Sequence, residues 1–238
     1  MLLAIPTKGR SHRCKTVRFF KSYGTIFCPY AEVNAYKTLG CPVVGVPKHV
    51  SGITQTRNWI LNHTDERWVV FIDDDMRRAG YVKAMWSKNK RVALRCNAML
   101  DEFQRLFEVA EGMKVPIWGI ANNSTYRNFQ PYHPFDWHTY VTATCMGIIN
   151  DGLRFDESYQ VYEDYELGLR CLATYGAVVG ARYLYFEAEL GKTEGGMADY
   201  RTGPIEEACA KKLLAAYPGL VRRTLTKGGA YSLEVMDF

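Results

Sequence analysis

Residues 68–75 read Trp-Val-Val-Phe-Ile-Asp-Asp-Asp, an apolar run of strand length that ends in three adjacent carboxylates. Continuous apolar character suits a strand covered on both faces. Three neighbouring acids repel one another and are costly unless positive charge lies against them. Alternation along an extended chain sends Asp73 and Asp75 to one side and Asp74 to the other. Two carboxylates at the end of a buried α/β strand suit a hard divalent cation, Mg²⁺ or Mn²⁺, that also holds substrate phosphates. The plainer alternative is a solvated acidic turn.

Three other segments carry candidate chemistry. Pro6-Thr7-Lys8-Gly9-Arg10-Ser11-His12-Arg13 follows a short apolar stretch and reads as the loop between a first strand and its helix. Free amides and the helix dipole favour anions there, and Lys8, Arg10 and Arg13 add three cations, a setting for a nucleotide diphosphate. The spacings of a Gly-x-x-x-x-Gly-Lys loop and of a Gly-x-Gly-x-x-Gly turn are both missing. Arg57 and Asn58 lie just inside a later helix; that segment reads either as a plain helix start capped by Thr54 or Thr56, or as one whose Arg57 and Asn58 face a nucleotide. Asp156, Glu157, Glu163, Asp164 and Glu166 crowd into eleven residues. Acids at a helix start complement the dipole; Glu163 or Asp164 there can instead take the proton of an attacking hydroxyl. The histidines at 12, 49, 63, 133 and 138 have no zinc-like spacing, and no Gly-x-Ser-x-Gly elbow occurs.

Between Arg77 and Arg95 lie Arg77, Arg78, Lys83, Lys88, Lys90, Arg91 and Arg95 without one acid, interleaved with Tyr81 and Trp86. Such a stretch is either a solvated basic loop or a surface for a polyanion, with aromatic faces for unpaired bases.

The elements that must position these groups follow from the pattern. Strands are expected at Leu2–Pro6, Thr25–Cys28, Pro42–Val46 and Trp68–Ile72, and helices from Ser11 to about Tyr23, at Tyr30–Leu39 and at Ile53–Leu61. This alternation implies parallel pairing and an α/β sheet flanked by helices. Residues 76–96 lose periodicity. Beyond them a helix is expected at Asn97–Gly112, a strand at Val115–Ala121, an aromatic loop over 122–138, a strand at Tyr140–Ile149, a helix at Tyr162–Tyr175, a strand at Ala177–Phe186, a polar loop over 191–203 and a helix at Ile205–Tyr217.

The 238 residues, 47% hydrophobic, suit one domain, 2–75 serving as a nucleotide-binding half and 76–238 as an acceptor-binding half. Apolar runs are too short to span a membrane. The N-terminus lacks the basic-then-apolar order of an export signal, and the seven cysteines are odd in number and scattered. A cytoplasmic protein with reduced thiols is expected.

Taken in order, the Ile5-Pro6-Thr7 loop, the Arg57-Asn58 segment, Asp73-Asp74-Asp75 and Glu163-Asp164 resemble a GT-A nucleotide-sugar glycosyltransferase over residues 2–190. The resemblance implies that the first loop meets base and ribose and that Arg57-Asn58 lines the donor site. It further implies that the aspartates are an Asp-x-Asp motif holding metal on the diphosphate of a UDP-sugar, and that the Glu-Asp acid is the base of an inverting reaction. Thr7–Phe20, Gly52–Leu61 and Ile72–Asp75 look more narrowly like the TET-associated glycosyltransferases of bacteriophages, which implies sugar transfer to hydroxymethylated pyrimidines, such as hydroxymethylcytosine, in DNA. The Arg77–Arg91 cations and Trp86 would then bind nucleic acid. One departure stands out: many family members supply a late histidine to the metal, and none follows His138 here. Water, phosphate oxygens, Glu187 or Glu189 would complete the shell. The competing readings are a nucleotidyltransferase making sugar nucleotides, a transferase acting on protein or saccharide, and a non-catalytic nucleic-acid binder.

Overall fold

The computed structural model describes residues 1–83, 89–122, 129, 131–188, 203–225 and 231–236. Buried apolar runs produce the strands expected of the first 75 residues: β1 (Leu2–Pro6), β2 (Gly24–Pro29), β3 (Val43–Val46) and β4 (Trp68–Ile72). They pair in parallel in the order β3-β2-β1-β4. Short helices α1 (Thr16–Phe20) and α2 (Val33–Tyr36), extended by 3₁₀ turns, and the longer α3 (Gly52–Asn62) make the crossovers.

The second half inserts strands of both directions. It holds β5 (Met76–Lys83), β6 (Lys90–Ala93), α4 (Cys96–Gly112), β7 (Ile117–Asn122), β8 (Phe135–Asp136), β9 (Cys145–Ile149), α5 (Glu163–Tyr175) and β10 (Val179–Ala188). The sheet runs β3-β2-β1-β4-β9-β7-β10-β5-β6, with β8 on β10. Antiparallel partners reverse β9, β5 and β8, so seven of the ten strands point with β1 and the sheet is mostly parallel. Beyond it, α6 (Gly203–Ala216) and a hairpin of β11 (Val221–Leu225) and β12 (Tyr231–Val235) pack on α5 through Leu169, Leu213 and Leu233.

Alternation splits the core between the two faces. Leu3, Val70, Ile72 and Trp118 pack with Met99, Phe103 and Phe107 of α4. Ala4, Val69, Phe71 and Ile117 pack with Ile60 and Leu61 of α3 and Leu167 and Cys171 of α5. Gly147 on β9 makes room for this: a Cβ there would lie 2.1 Å from the Trp118 ring nitrogen.

Four expectations are corrected. The first helix begins at Thr16, not Ser11, because the amides of Lys15 and Thr16 go to the Asp74 carbonyl, at 2.8 and 3.2 Å, and residues 10–13 close a turn. Residues 76–96 are not a loop but largely the β5–β6 hairpin, whose period is hidden because all four residues of β6 are exposed. The strand expected at Tyr140–Ile149 pairs only from Cys145, since residues 143 and 144 bond elsewhere. Thr54 and Thr56 are not caps: their hydroxyls donate to the Tyr159 and Gly52 carbonyls.

All seven cysteines are free thiols, five of them buried. Burial pushes Cys14 and Cys171 up to about 12 and Cys28 up to about 11. Thiolates are the reactive form. Native protein is therefore expected to titrate only Cys41 and Cys96 promptly with Ellman's reagent, and all seven after unfolding. Fast modification of five or more thiols would contradict the packing.

Candidate active site

The acid triplet closes β4 at the carboxyl edge of the sheet, and Asp74 and Asp75 form the turn into β5. Extended-chain alternation therefore stops at Asp73. The turn's backbone is tied on two sides. From α1, the Thr16 hydroxyl donates to the Asp73 carbonyl at 2.5 Å and accepts from the Met76 amide at 3.0 Å. From the segment before β9, the Thr144 carbonyl accepts from the Asp73 amide at 3.1 Å.

The three carboxylates have different surroundings. Asp74 is buried beneath the β1 loop, where it accepts from the Thr7 hydroxyl and, at 3.0 Å, from Arg10 Nη1. Tyr36 braces the same loop, its hydroxyl accepting from the Arg10 amide and sharing a hydrogen bond with Thr7. Thr7 and Arg10, read from the sequence as nucleotide ligands, and Asp74, read as part of the motif that holds metal on the diphosphate, are thus bonded to one another. Pro6 is buried at the end of β1, while Lys8 and Arg13 stay exposed on the loop.

Asp73 remains partly accessible and faces Arg57, with Nη2 3.9 Å from its Oδ1. Desolvation pushes its carboxyl up to about 7, Arg57 opposes this, and Asp75, Asp74 and Asp164 add to it. Asp75 is also raised, by burial first and then by Asp74, and its Oδ1 has no hydrogen-bond partner among the described residues.

Arg57 joins the acid turn to the second acidic cluster. Nearly all buried, it gives Nη1 to Glu163 Oε1 at 2.6 Å and lies over the rings of Phe71 and Phe155 at 5.9 and 5.5 Å. Glu163 is raised by burial and by Asp164, with Arg57 opposing. Asp164 is half-buried and accepts from the amides of Ala143 at 3.1 Å and Tyr165 at 2.9 Å. Arg57, at 3.9 Å from Asp73 and 2.6 Å from Glu163, brings the triplet and the Glu-Asp pair, some ninety residues apart in the chain, together, and the charge of Asp164 adds to the rise at Asp73.

Other candidates fall elsewhere. Asn58 clamps the loop before α5: its amide nitrogen donates to the Phe155 carbonyl and to Glu157, and its oxygen accepts from the Phe155 amide. Arg77, Arg78, Lys83, Lys90 and Arg91 lie on the β5–β6 hairpin, where Arg91 pairs with Glu187 at 2.9 Å and lies over Tyr185. Trp86, Lys88, Glu189 and the polar loop over 191–202 lie outside the described residues. Thr16, Tyr36 and the 140–144 segment were missed by the sequence reading, having no local signature.

Among the described residues no group of three or more His, Cys, Asp or Glu side chains is arranged to hold a metal. The crowded Asp75, with its Oδ1 lacking a hydrogen-bond partner among the described residues, and the accessible Asp73 do fit an ion that takes one or two carboxylates and completes its shell with phosphate oxygens and water, as Mg²⁺ commonly does. No described helix is long and apolar enough to cross a membrane.

Residues 1–184 match the family model described as TET-Associated Glycosyltransferase. No curated protein matches. The chain is similar in fold to glucosyl-3-phosphoglycerate synthase from Mycobacterium tuberculosis, solved with Mn²⁺, UDP-glucose and glycerol 3-phosphate (TM-score 0.55, 10% identity, 98% of this chain and 85% of that one). It is also similar to mannosyl-3-phosphoglycerate synthase from Rubrobacter xylanophilus (0.52, 11%, 99% and 84%) and to S. aureus TarS 1–349 with UDP-GlcNAc (0.51, 11%, 90% and 67%). At such identities the likeness speaks for the shared GT-A fold alone.

Proposed function

We infer that this chain, which belongs to the TET-associated glycosyltransferase family, moves a sugar from a UDP-sugar to the hydroxyl of a 5-hydroxymethylpyrimidine in phage DNA. The observation that carries the reading is the meeting of Asp73 and Glu163 at Arg57, with Asp75 and Asp164 close enough to act on Asp73, at the carboxyl edge of the sheet. Family membership makes the chain a glycosyltransferase, which displaces the nucleotidyltransferase and the non-catalytic readings.

In this assignment residues 2–75 bind the donor. The loop from Pro6 to Arg10, fixed on Asp74, borders base and ribose, and Arg13 on the exposed side of that loop is the cation offered to the diphosphate. Asp73 and Asp75 would hold Mn²⁺ or Mg²⁺, which when bound offsets charge on the departing diphosphate. Residues 76–238 receive the acceptor, with the hairpin cations on its phosphates. The acceptor oxygen bonds to the anomeric carbon as the bond from that carbon to the diphosphate breaks, and Asp164 takes the hydroxyl proton. Two amide donors fix the Asp164 carboxylate in place for this step. Glu163, spent on Arg57, holds the helix start rather than the proton.

The test incubates the protein with UDP-glucose or UDP-N-acetylglucosamine, Mn²⁺ and hydroxymethylcytosine DNA, then weighs the nucleosides. A hexose or N-acetylhexosamine adduct that disappears with EDTA is expected. Full activity in EDTA would refute the metal assignment, and transfer only to saccharide or protein would refute the DNA acceptor. Separately, Mn²⁺ with UDP is expected to raise Tm in wild type and not in Asp75→Ala, because added charge relieves the carboxylate crowding only where two acids remain to bind it. An equal rise in both proteins would remove Asp75 from the metal site.

A further inference from the structure

We propose that Tyr140 is an acceptor-positioning residue whose ring stacks against a planar acceptor, an unstacked nucleobase, beside Asp164. The proposal rests on the DNA-acceptor reading above and names the surface that reading lacks. Cys145 pairs with Ile72, so the segment just before β9 runs along the same sheet edge as the acid turn. Two of its backbone groups bind the site directly, Ala143 through its amide to Asp164 and Thr144 through its carbonyl to Asp73. Tyr140 opens this segment and is 36% exposed.

The ring of Tyr140 lies face to face on that of Tyr165, with centroids 4.6 Å apart and planes 13° apart. Tyr165 follows Asp164 in the chain, and Tyr162 meets it edge-on at 5.5 Å. Three tyrosines thus build a braced aromatic wall next to the proposed base. Tyr162 holds a left-handed backbone, φ +64°, a conformation that side chains larger than glycine adopt at a cost. That turn starts α5 and sets Glu163, Asp164 and Tyr165 at once. Two residues after Tyr140, the Thr142 hydroxyl is enclosed and has no partner among the described residues. A nucleobase offers a flat π-face to the exposed part of the Tyr140 ring. Stacking of this kind tolerates any base and fixes the distance of its substituent.

The experiment compares Tyr140→Leu and Tyr140→Phe with wild type. Each is assayed for transfer to hydroxymethylcytosine DNA, for slow hydrolysis of the UDP-sugar without acceptor, and for Tm. Tyr140→Leu is expected to raise KM for DNA by about 5- to 150-fold, the range that one stacked base is worth. Its donor hydrolysis should match wild type while Tm falls slightly from the lost stack on Tyr165, and Tyr140→Phe should keep the wild-type KM. An unchanged KM in Tyr140→Leu overturns the stacking role while leaving the DNA reading intact. So does a Tyr140→Phe as impaired as Tyr140→Leu, or a loss of donor hydrolysis that parallels the loss of transfer. Wild-type protein that uses only non-planar acceptors overturns both. As a check that does not depend on kinetics, the indole introduced by Tyr140→Trp should be quenched by hydroxymethylcytosine DNA and not by the same duplex with an abasic target site. Equal quenching by the two duplexes counts against the proposal.

Discussion

Asp164→Asn is expected to lower kcat by about 10²–10⁴-fold, the usual worth of a positioned general base, with KM for the UDP-sugar little changed. Asparagine keeps the shape of the side chain and removes the basic oxygen pair. It also turns one amide nitrogen toward a backbone N–H, because the carboxylate accepts from both Ala143 and Tyr165. That mismatch costs about 1–3 kcal/mol, so folding is checked first by thermal melting and the kinetics are read on folded protein. The comparison that isolates the base is Glu163→Gln. Glu163 is buried and tied to Arg57 at 2.6 Å, so its change should act mainly on stability and only secondarily on turnover. Turnover by Asp164→Asn at the wild-type rate would strip Asp164 of its role. Turnover lost equally in Glu163→Gln would mean that the helix start acts as a unit.

Legibility from sequence followed range. Strands β1 to β4 are short apolar runs bounded by glycine, proline or acids, and the local pattern alone locates them. The triplet Asp73-Asp74-Asp75 announces itself by charge at the end of such a run. The division of labour within it does not. Asp74 is consumed by Thr7 and Arg10, more than sixty residues earlier in the chain. Asn58 is equally ambiguous: a polar residue in the first turns of a helix can face a ligand or another segment, and its partners Phe155 and Glu157 lie 97 and 99 residues away. The β5–β6 hairpin hid because β6 is exposed at every residue and Gly80 interrupts β5. That glycine is required by close approach, since a Cβ there would sit 2.0 Å from the Val92 carbonyl oxygen. The basic run over 77–95 was legible as charge, but its form as an edge hairpin depends on pairing with β10, more than a hundred residues on.

Arg57→Met should be the most destabilising single change at the site, at roughly 3–5 kcal/mol, because it leaves buried acid without its cation. Methionine fills much of the volume between Phe71 and Phe155, so the loss is chiefly electrostatic. Glu163 would then face Asp164 unopposed, and Asp73 would lose its nearest positive charge. The sign of the pH dependence follows. The folded-state carboxyl of Glu163 is already held above its ordinary value of 4.5, and removing Arg57 raises it further. A carboxyl that binds its proton more tightly when folded favours the fold while protonated, so stability is present below about 4.5 and drains away as pH climbs through the raised folded value. Arg57→Met is therefore expected to recover part of its loss on acidification, over a range where wild type gains less. Adding Glu163→Gln to it should restore stability at neutral pH by more than Glu163→Gln changes the wild type. Urea midpoints for the four proteins of that cycle decide the matter. Additive effects would show that Arg57 and Glu163 do not act as a pair, and would dissolve the bridge on which the acid turn and the proposed base depend for their common placement.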